Sequence, residues 1–209
     1  MTSRKRWSAL VLVSILALLF VNLAPDQWFN RISTIEDAGE DASFMGRVIA
    51  WKVSSAMALS NPIFGGGFHA VQVQDIWDQF KAAPGLLGFL NLPTPEFSAK
   101  AAHSIYFEVM GDMGFVGLFI FMAILLYGVR ARFLIKRQLR YMGAQWLWAR
   151  DMADMLMLGI IAYMAGGAAV SLAYFEVIYM VVMLMEMLRL HVTRAVAEAQ
   201  KASPTGARA

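Results

Sequence analysis

Apolar residues are concentrated in three long stretches of the sequence, and polar residues fill the intervals between them. The stretches run from Trp7 to Ala24, from Ser104 to Val129, and from Met152 to Leu190. A helix rises about 1.5 Å per residue and a bilayer core is about 30 Å thick, so each of the first two stretches suits one membrane-spanning helix. The third suits two helices, broken near Gly166-Gly167 or Ser171–Tyr174. The pattern predicts an all-α integral membrane protein with four transmembrane helices.

The longest interval without a membrane-spanning pattern is residues 25–103. Apolar residues recur there at helical spacing and predict an amphipathic helix from Phe44 to Leu59. Asn61-Pro62 ends this helix because proline disfavours helical geometry in the residue before it. The helix would lie at the lipid–water interface, or pack as an ordinary helix on a soluble lobe. A second, short helix is expected around residues 75–80.

Lysine and arginine gather beside the apolar stretches and predict the orientation of the chain. Arg4-Lys5-Arg6, residues 130–151 and the C-terminal tail are all basic, and four spans place all three on one side of the membrane. Basic loops stay in the cytoplasm, which gives an N-in, C-in topology. The predicted organisation is an N-terminal span over 1–24, a large extracytoplasmic loop with the amphipathic helix over 25–103, a span over 104–129, a basic cytoplasmic loop over 130–151, a transmembrane hairpin over 152–190 and a cytoplasmic tail over 191–209.

The first apolar stretch has a second interpretation, because a secretory signal peptide also begins with basic residues. Asn22-Leu-Ala24 does not provide the small-x-small pattern of a cleavage site, and Pro25 follows directly. The sequence therefore favours an uncleaved span.

Composition agrees with a membrane protein and excludes several kinds of site. Apolar residues make up 59% of the chain and charged residues 16%, whereas soluble domains average about 45–50% and about 25%. The chain has no cysteine, so a disulfide framework, a cysteine-based zinc site and a thiol nucleophile are excluded. Its basic residues form no aromatic-interleaved stripe, so no nucleic-acid partner is expected.

Three motifs in the middle of the chain resemble those of the O-antigen ligase and polysaccharide polymerase superfamily. They are Asp41-Ala-Ser-Phe-Met-Gly-Arg47-Val-Ile-Ala-Trp51, Asn61-Pro-Ile-Phe-Gly-Gly-Gly67-Phe, and Ala102-His103-Ser-Ile-Tyr-Phe-Glu108-Val-Met-Gly-Asp112-Met-Gly114-Phe-Val-Gly117-Leu. The resemblance extends over about residues 41–190. Within the superfamily, the sequence is most similar to the O-glycosylation ligases found beside exosortase A systems.

The resemblance implies a helical glycosyltransferase of the C type in the bacterial cytoplasmic (inner) membrane. Such enzymes need no metal or other cofactor, and use an undecaprenyl-diphosphate-linked glycan as donor and a polysaccharide or protein as acceptor. Superfamily members have roughly ten to twelve spans, so this sequence looks like the C-terminal part of one. It would lack an N-terminal arginine that helps to hold the diphosphate. An N-terminal half, other envelope-assembly proteins and membrane lipids are therefore expected partners.

Arg47 and His103 are the predicted catalytic residues. The reaction needs charge stabilisation on the leaving diphosphate and help in deprotonating the attacking hydroxyl. Arginine suits the first task because its planar fork bonds phosphate oxygens bidentately, and histidine suits the second because imidazole titrates near neutral pH. The alternatives are a headgroup-facing arginine and an interfacial histidine that caps the span.

Substrate-binding roles are also predicted for four neighbouring residues. Gly65, Gly66 and Gly67 can adopt positive φ, so their N–H groups could form an anion-binding nest, or the glycines could simply make a flexible turn. Lys52 could add positive charge at the diphosphate, or extend its ammonium group to the membrane surface as interfacial lysines do.

Supporting roles are predicted for Trp51, which completes an Arg-x-x-x-Trp pattern, and for three polar residues of the second span. Ser104, Glu108 and Asp112 are spaced four residues apart and form one stripe on a helix. Glu108 lies about 140° round the helix from His103, so the two carboxylates are expected to pack against another helix rather than to orient His103. No metal site is predicted, because His69 has no partner at metal-binding spacing.

The predicted function is transfer of a lipid-linked glycan to an acceptor hydroxyl in cell-envelope or exopolysaccharide biosynthesis. A polymerase of the same superfamily needs the same donor chemistry and is the first alternative. A non-catalytic four-span membrane protein is the second.

Overall fold

The structure, a computed structural model, describes residues 42–96 and 98–202. The chain forms two compact units, Met1–Gly46 and Arg47–Ala209, and the site and the helix bundle belong to the second. The described helices are α1 (Ala42–Ser60), α2 (Gln74–Phe80), α3 (Ile105–Gln138), α4 (Leu147–Gly166) and α5 (Glu176–Ala202). Short 3-10 turns lie at Ala70–Gln72, Gly88–Leu90, Leu139–Tyr141, Ala144–Trp146 and Gly167–Ala169.

The three long helices α3, α4 and α5 pack on one another as a bundle. Phe121, Leu125, Gly128, Ala131 and Ile135 recur every three to four residues on α3, so they form one buried stripe. Gly128 lies within this stripe, and a Cβ atom there would stand 2.7 Å from Ile160 Cδ1 of α4 and within 3.3 Å of the Val182 side chain of α5. Small residues of this kind let membrane helices approach closely, because van der Waals packing holds them together.

Two described helical segments are long and apolar enough to cross a membrane. They are Ile105–Gln138, with a mean hydropathy of 2.2, and Ala144–Ala169, with a mean hydropathy of 1.5. Helix α5 does not meet the same criterion, and the predicted N-terminal span lies outside the described residues. The all-helical prediction is confirmed, and two of the four predicted spans have a matching helix.

Three local predictions agree with the structure. The predicted helices over Phe44–Leu59 and around residues 75–80 correspond to α1 and α2. The third apolar stretch breaks between α4 and α5, where the turn Gly167–Ala169 and residues 170–175 separate the two helices. Both sites proposed for that break are therefore part of it.

The amphipathic character predicted for α1 is wrong. Nearly every residue from Val48 to Ala58 is buried, and Lys52, Ser54 and Ser55 are 4%, 0% and 0% exposed. The polar residues of this range are therefore buried together with the apolar ones, and the helix has no solvated polar face here. Serine is small enough to be accommodated in such close packing. This burial agrees with the alternative interpretation, in which α1 is an ordinary packed helix.

The predicted basic loop over residues 130–151 is also wrong in extent. Helix α3 continues to Gln138 and α4 begins at Leu147, so the connection is shorter than its charges suggested. Arginine and lysine are good helix formers, and the charged extension of α3 is held to α4 by ion pairs. Asp154 of α4 accepts from Arg132 Nε at 2.6 Å and from Lys136 Nζ at 2.8 Å.

Two adjacent buried serines of α1 give a matched test of this packing. Ser55 Oγ donates to the Lys52 carbonyl oxygen at 2.7 Å and accepts from Leu86 N at 2.9 Å, whereas Ser54 Oγ has no hydrogen-bond partner among the described residues. We expect Ser55→Ala to lower the free energy of unfolding by about 1 kcal/mol, because it removes both hydrogen bonds of a buried hydroxyl. Ser54→Ala should leave that free energy unchanged or raise it. Denaturant titration in detergent micelles measures both, and equal destabilisation by the two changes would contradict the assignment.

Candidate active site

The predicted catalytic residue His103 lies directly before α3, where the polar segment enters the first long helix. Its side chain is exposed, and its backbone has a positive φ of 47°, which is uncommon for a residue other than glycine. Ser104 is the N-cap residue, and its backbone carbonyl accepts from Glu108 N at 2.8 Å. The Ser104 side chain is buried and makes no capping hydrogen bond.

Trp51 joins helix α1 to the beginning of α3. Its indole N–H donates to the Ala102 carbonyl oxygen at 2.6 Å, and its ring stacks on Phe107 with centroids 5.0 Å apart. Arg47 is half-buried and lies one helical turn before Trp51 on α1. The Trp51 contacts fix α1 against the start of α3, a place that we call the α1–α3 junction. His103 lies at this junction, whereas the pairing of Arg47 with His103 stays a prediction.

The glycine turn docks on an interruption in α3. Gly66 N donates to the Gly111 carbonyl oxygen at 2.8 Å, and Gly67 N donates to the Asp112 carbonyl oxygen at 2.9 Å. In return, Phe115 N of α3 donates to the Pro62 carbonyl oxygen at 2.8 Å. In an unbroken helix, Phe115 N would bond the Gly111 carbonyl, so the turn and the helix have exchanged partners.

The glycine amides are already in use in this arrangement. Gly65 N donates to the Asn61 carbonyl oxygen at 2.9 Å, and the next two amides bond the carbonyls of α3. An anion could bind all three N–H groups only after these hydrogen bonds had broken. The geometry matches the alternative of a turn, and the anion-binding role stays a prediction.

The helix interruption is centred on Gly114, which has a φ of 66° and a ψ of −168° within α3. A Cβ atom at this position would lie 2.5 Å from the Pro62 carbonyl oxygen. We expect Gly114→Ala to lower the free energy of unfolding by about 2 kcal/mol, from the strained φ and the clash together. Gly159→Ala in α4 is the matched control, because nothing lies within 4 Å of its added Cβ. Thermal unfolding in detergent would show the difference, and equal melting temperatures would contradict it.

Two buried carboxylates of α3 hold the loops around the junction. Asp112 accepts from His69 N at 2.9 Å, from Ala70 N at 3.2 Å and from the Tyr174 hydroxyl at 2.8 Å. Glu108 accepts from Ala173 N at 3.2 Å. The expected stripe with Ser104 exists, and all three side chains are buried. Their partners are two loops, however, and not another helix.

Tyr174 remains a hydrogen-bond donor to Asp112 over the whole physiological pH range. Burial, together with the adjacent Asp112 carboxylate, raises the pKa of Tyr174 above its usual value. Its ring also contacts Phe68, with centroids 4.9 Å apart, and the edge of His69 at 5.8 Å. The loop between α4 and α5 is therefore fastened to the segment that follows the glycine turn.

Lys52, predicted to bind substrate, and His69, considered as a metal ligand, both lie close to other groups of the chain. Lys52 is 4% exposed, and burial lowers its pKa. His69 adopts a φ of 55° and places Nδ1 3.9 Å from Glu108 Oε1 and 3.2 Å from Gln72 Nε2. Within residues 42–96 and 98–202, no group of three or more His, Asp or Glu side chains is arranged to hold a metal ion.

Ser171 and Tyr174 are site residues that sequence reasoning did not find. Ser171 Oγ accepts from His103 N at 3.0 Å, and Tyr174 bonds Asp112. Both lie in the predicted break of the third apolar stretch, where the sequence signal was only the presence of polar groups within an apolar region. Their partners are 68 and 62 residues away along the chain, a distance that no local period encodes.

These features describe a helical protein with two helices long and apolar enough to cross a membrane, and with a histidine where a polar segment meets the first of them. Comparison with known families makes the class more specific. A model of the O-antigen ligase family matches residues 1–122 of the 209, and the chain belongs to this family. No curated protein and no solved structure matches it.

The match confirms the resemblance at the level of the family. It extends further towards the N-terminus than the motifs did, and it ends within α3. The α1–α3 junction lies inside the matched region, whereas Ser171 and Tyr174 lie outside it.

Proposed function

We propose that the chain transfers a glycan from an undecaprenyl-diphosphate carrier to an acceptor hydroxyl, as an O-antigen ligase-type glycosyltransferase of the bacterial cytoplasmic membrane. Membership of the O-antigen ligase family supports a membrane glycan ligase or polymerase. The single observation that carries the proposal is the hydrogen bond from Trp51 Nε1 to the Ala102 carbonyl at 2.6 Å. It joins α1, the helix that contains Arg47, to the residue before His103.

In the proposed reaction, the bond between the anomeric carbon and the diphosphate oxygen breaks, and the acceptor oxygen forms a new bond to that carbon. The His103 imidazole takes the proton of the acceptor hydroxyl. The Arg47 guanidinium bonds the phosphate oxygens and balances the charge left on the departing undecaprenyl diphosphate. This division needs an exposed imidazole and an arginine with access to phosphate, which agrees with the exposed His103 and half-buried Arg47 side chains.

The proposed setting follows from charge and hydropathy. The α1–α3 junction would face the extracytoplasmic side in an N-in, C-in, multi-pass topology, since the basic residues flank the apolar helices on the other side. An association with exosortase A systems, and a partner that supplies further spans and another phosphate-binding arginine, belong to the same proposal.

A transfer assay tests the proposed function. Membranes containing the full chain would be supplied with a lipid-diphosphate donor carrying a labelled glycan, and released lipid diphosphate and labelled product would be measured. We expect the wild-type chain to consume the donor. The His103→Asn chain, at equal abundance, should not. Equal consumption by both chains would contradict the proposal.

Polymerisation is the second candidate, since the family match supports a membrane glycan ligase or polymerase in general. The reaction products distinguish polymerisation from ligation. A ladder of glycan lengths indicates polymerisation, and a single glycan block joined to a different acceptor indicates ligation.

A further inference from the structure

One peptide unit at the α1–α3 junction is held from both ends by different parts of the chain. The carbonyl oxygen of Ala102 and the amide nitrogen of His103 belong to the same peptide plane. The oxygen accepts from Trp51 Nε1 of α1 at 2.6 Å, and the nitrogen donates to Ser171 Oγ of the α4–α5 loop at 3.0 Å. The plane is therefore clamped between two elements that are distant in sequence.

The orientation of this plane is coupled to the backbone conformation of His103. A peptide plane is rigid, so its rotation changes only ψ of Ala102 and φ of His103. The φ of His103 is 47°, in the left-handed region that a Cβ atom disfavours. A residue keeps such a conformation only where its surroundings impose it, and strained residues of this kind cluster at functional sites. Here the two hydrogen bonds supply that constraint.

Ser171 is itself fixed in position by the buried carboxylates of α3. Ala173 N donates to Glu108 Oε2 at 3.2 Å, and the Tyr174 hydroxyl donates to Asp112 Oδ2 at 2.8 Å. Glu108 and Asp112 lie in the first turns of α3, the helix that begins just after His103. The loop that contains Ser171 is thus anchored to this helix, and the Ser171 hydroxyl bonds the His103 amide immediately before it.

We propose that Ser171 is a positioning residue for His103, which it holds in its left-handed conformation by accepting the His103 N–H. The inference rests on the proposed function, in which His103 acts on the acceptor hydroxyl. Ser171 lies outside the residues matched by the family model, so family membership does not assign it a role. Trp51 is the second member of the clamp, from the carbonyl side.

A positioning role of Ser171 can be distinguished from a purely structural one, because its hydrogen bond is exposed and Ser171 is only half-buried. Removing its hydroxyl leaves no buried group unsatisfied within the bundle. We therefore expect Ser171→Ala to leave the melting temperature unchanged. We expect it to lower kcat for glycan transfer about three- to tenfold, the loss that corresponds to one hydrogen bond, with KM for the lipid donor unchanged. Ser171→Thr keeps the hydroxyl and should restore kcat.

Histidine-selective labelling provides a readout that does not depend on activity. The chain has three histidines, so amide spectra of the histidine-labelled chain in detergent micelles contain three signals, assigned by the loss of one in His69→Gln and another in His191→Gln. In Ser171→Ala, the His103 amide signal should move and its hydrogen exchange should accelerate at least tenfold. Ser98→Ala, at an exposed serine of the same polar segment, should change neither.

The two claims fail in different ways. Wild-type chain that consumes no lipid donor would overturn the proposed function, and the positioning role that rests on it, whatever the amide spectra show. An unchanged His103 amide in Ser171→Ala would overturn the clamp. A changed amide with wild-type kcat would overturn the positioning role, as would a kcat that Ser171→Thr does not restore.

Discussion

Replacing His103 by asparagine is expected to lower the rate of glycan transfer about 10²–10⁴-fold, the contribution of a general base. Asparagine is the informative replacement because it tolerates a positive φ better than alanine, so the clamped backbone at 47° is preserved while the imidazole is lost. The side chain is exposed, so folding should be unaffected. Initial rates at equal protein abundance, with saturating lipid donor, measure the effect.

A matched control is available at the other end of the bundle. His191 is exposed on α5, with its ring 5.7 Å from that of Trp146, far along the chain from the junction. His191→Asn should transfer at the wild-type rate. Equal loss of activity in both histidine variants would indicate a general effect of histidine replacement or of sample preparation, and not a catalytic role of His103. If His103→Asn keeps the wild-type rate, His103 is not the base.

Removing the carboxylate of Asp112 should give the largest loss of stability, about 3–5 kcal/mol in the free energy of unfolding. Asp112→Ala strands two donors, His69 N and the Tyr174 hydroxyl, and leaves Ala70 N with only its bond to the Gly67 carbonyl oxygen at 3.1 Å. Asp112→Asn keeps one acceptor oxygen, so it should lose roughly half as much. Unfolding in detergent micelles, followed by helical circular dichroism, provides the measurement.

Asp151 supplies the comparison for that experiment, because it is an exposed aspartate within α4. Asp151→Ala should unfold within about 0.5 kcal/mol of the wild-type chain. Were Asp112→Ala to unfold at the same denaturant concentration as Asp151→Ala, the carboxylate would not be the anchor of the two loops.

The elements of this fold were accessible from local pattern, because helix period, proline and apolar length are local properties. Asn61-Pro62 correctly ends α1, and the polar break after Gly167 correctly separates α4 from α5. The burial of α1, in contrast, could not be predicted from the local sequence. Phe44, Val48 and Trp51 suggested one apolar face, but burial depends on what covers the other faces, and that is set by distant parts of the chain.

The sequence suggested a chemistry for the candidate site but not its architecture. Arg47 and His103 carry functional groups that suit phosphate binding and proton transfer, and the motifs around them indicated the family. The contacts that hold His103 in place join Trp51 to Ala102 and Ser171 to His103, across 51 and 68 residues. Contacts between residues so far apart in sequence follow no fixed spacing. A serine in an apolar stretch, moreover, can have many different roles.

The exchange of backbone partners between the glycine turn and α3 bears on how members of this family can be recombined. Gly111 and Asp112 give their carbonyls to Gly66 and Gly67, and Phe115 gives its N–H to Pro62. Polar backbone in a membrane is tolerated only where protein satisfies it. The exchange also needs a close approach, since a Cβ atom at Gly114 would lie 2.5 Å from the Pro62 carbonyl oxygen. A chimera that took residues 61–67 from one relative and 111–115 from another would keep the exchange only if the two segments still fitted at this distance. The two segments should therefore be transplanted together, as one inherited unit, although 43 intervening positions separate them.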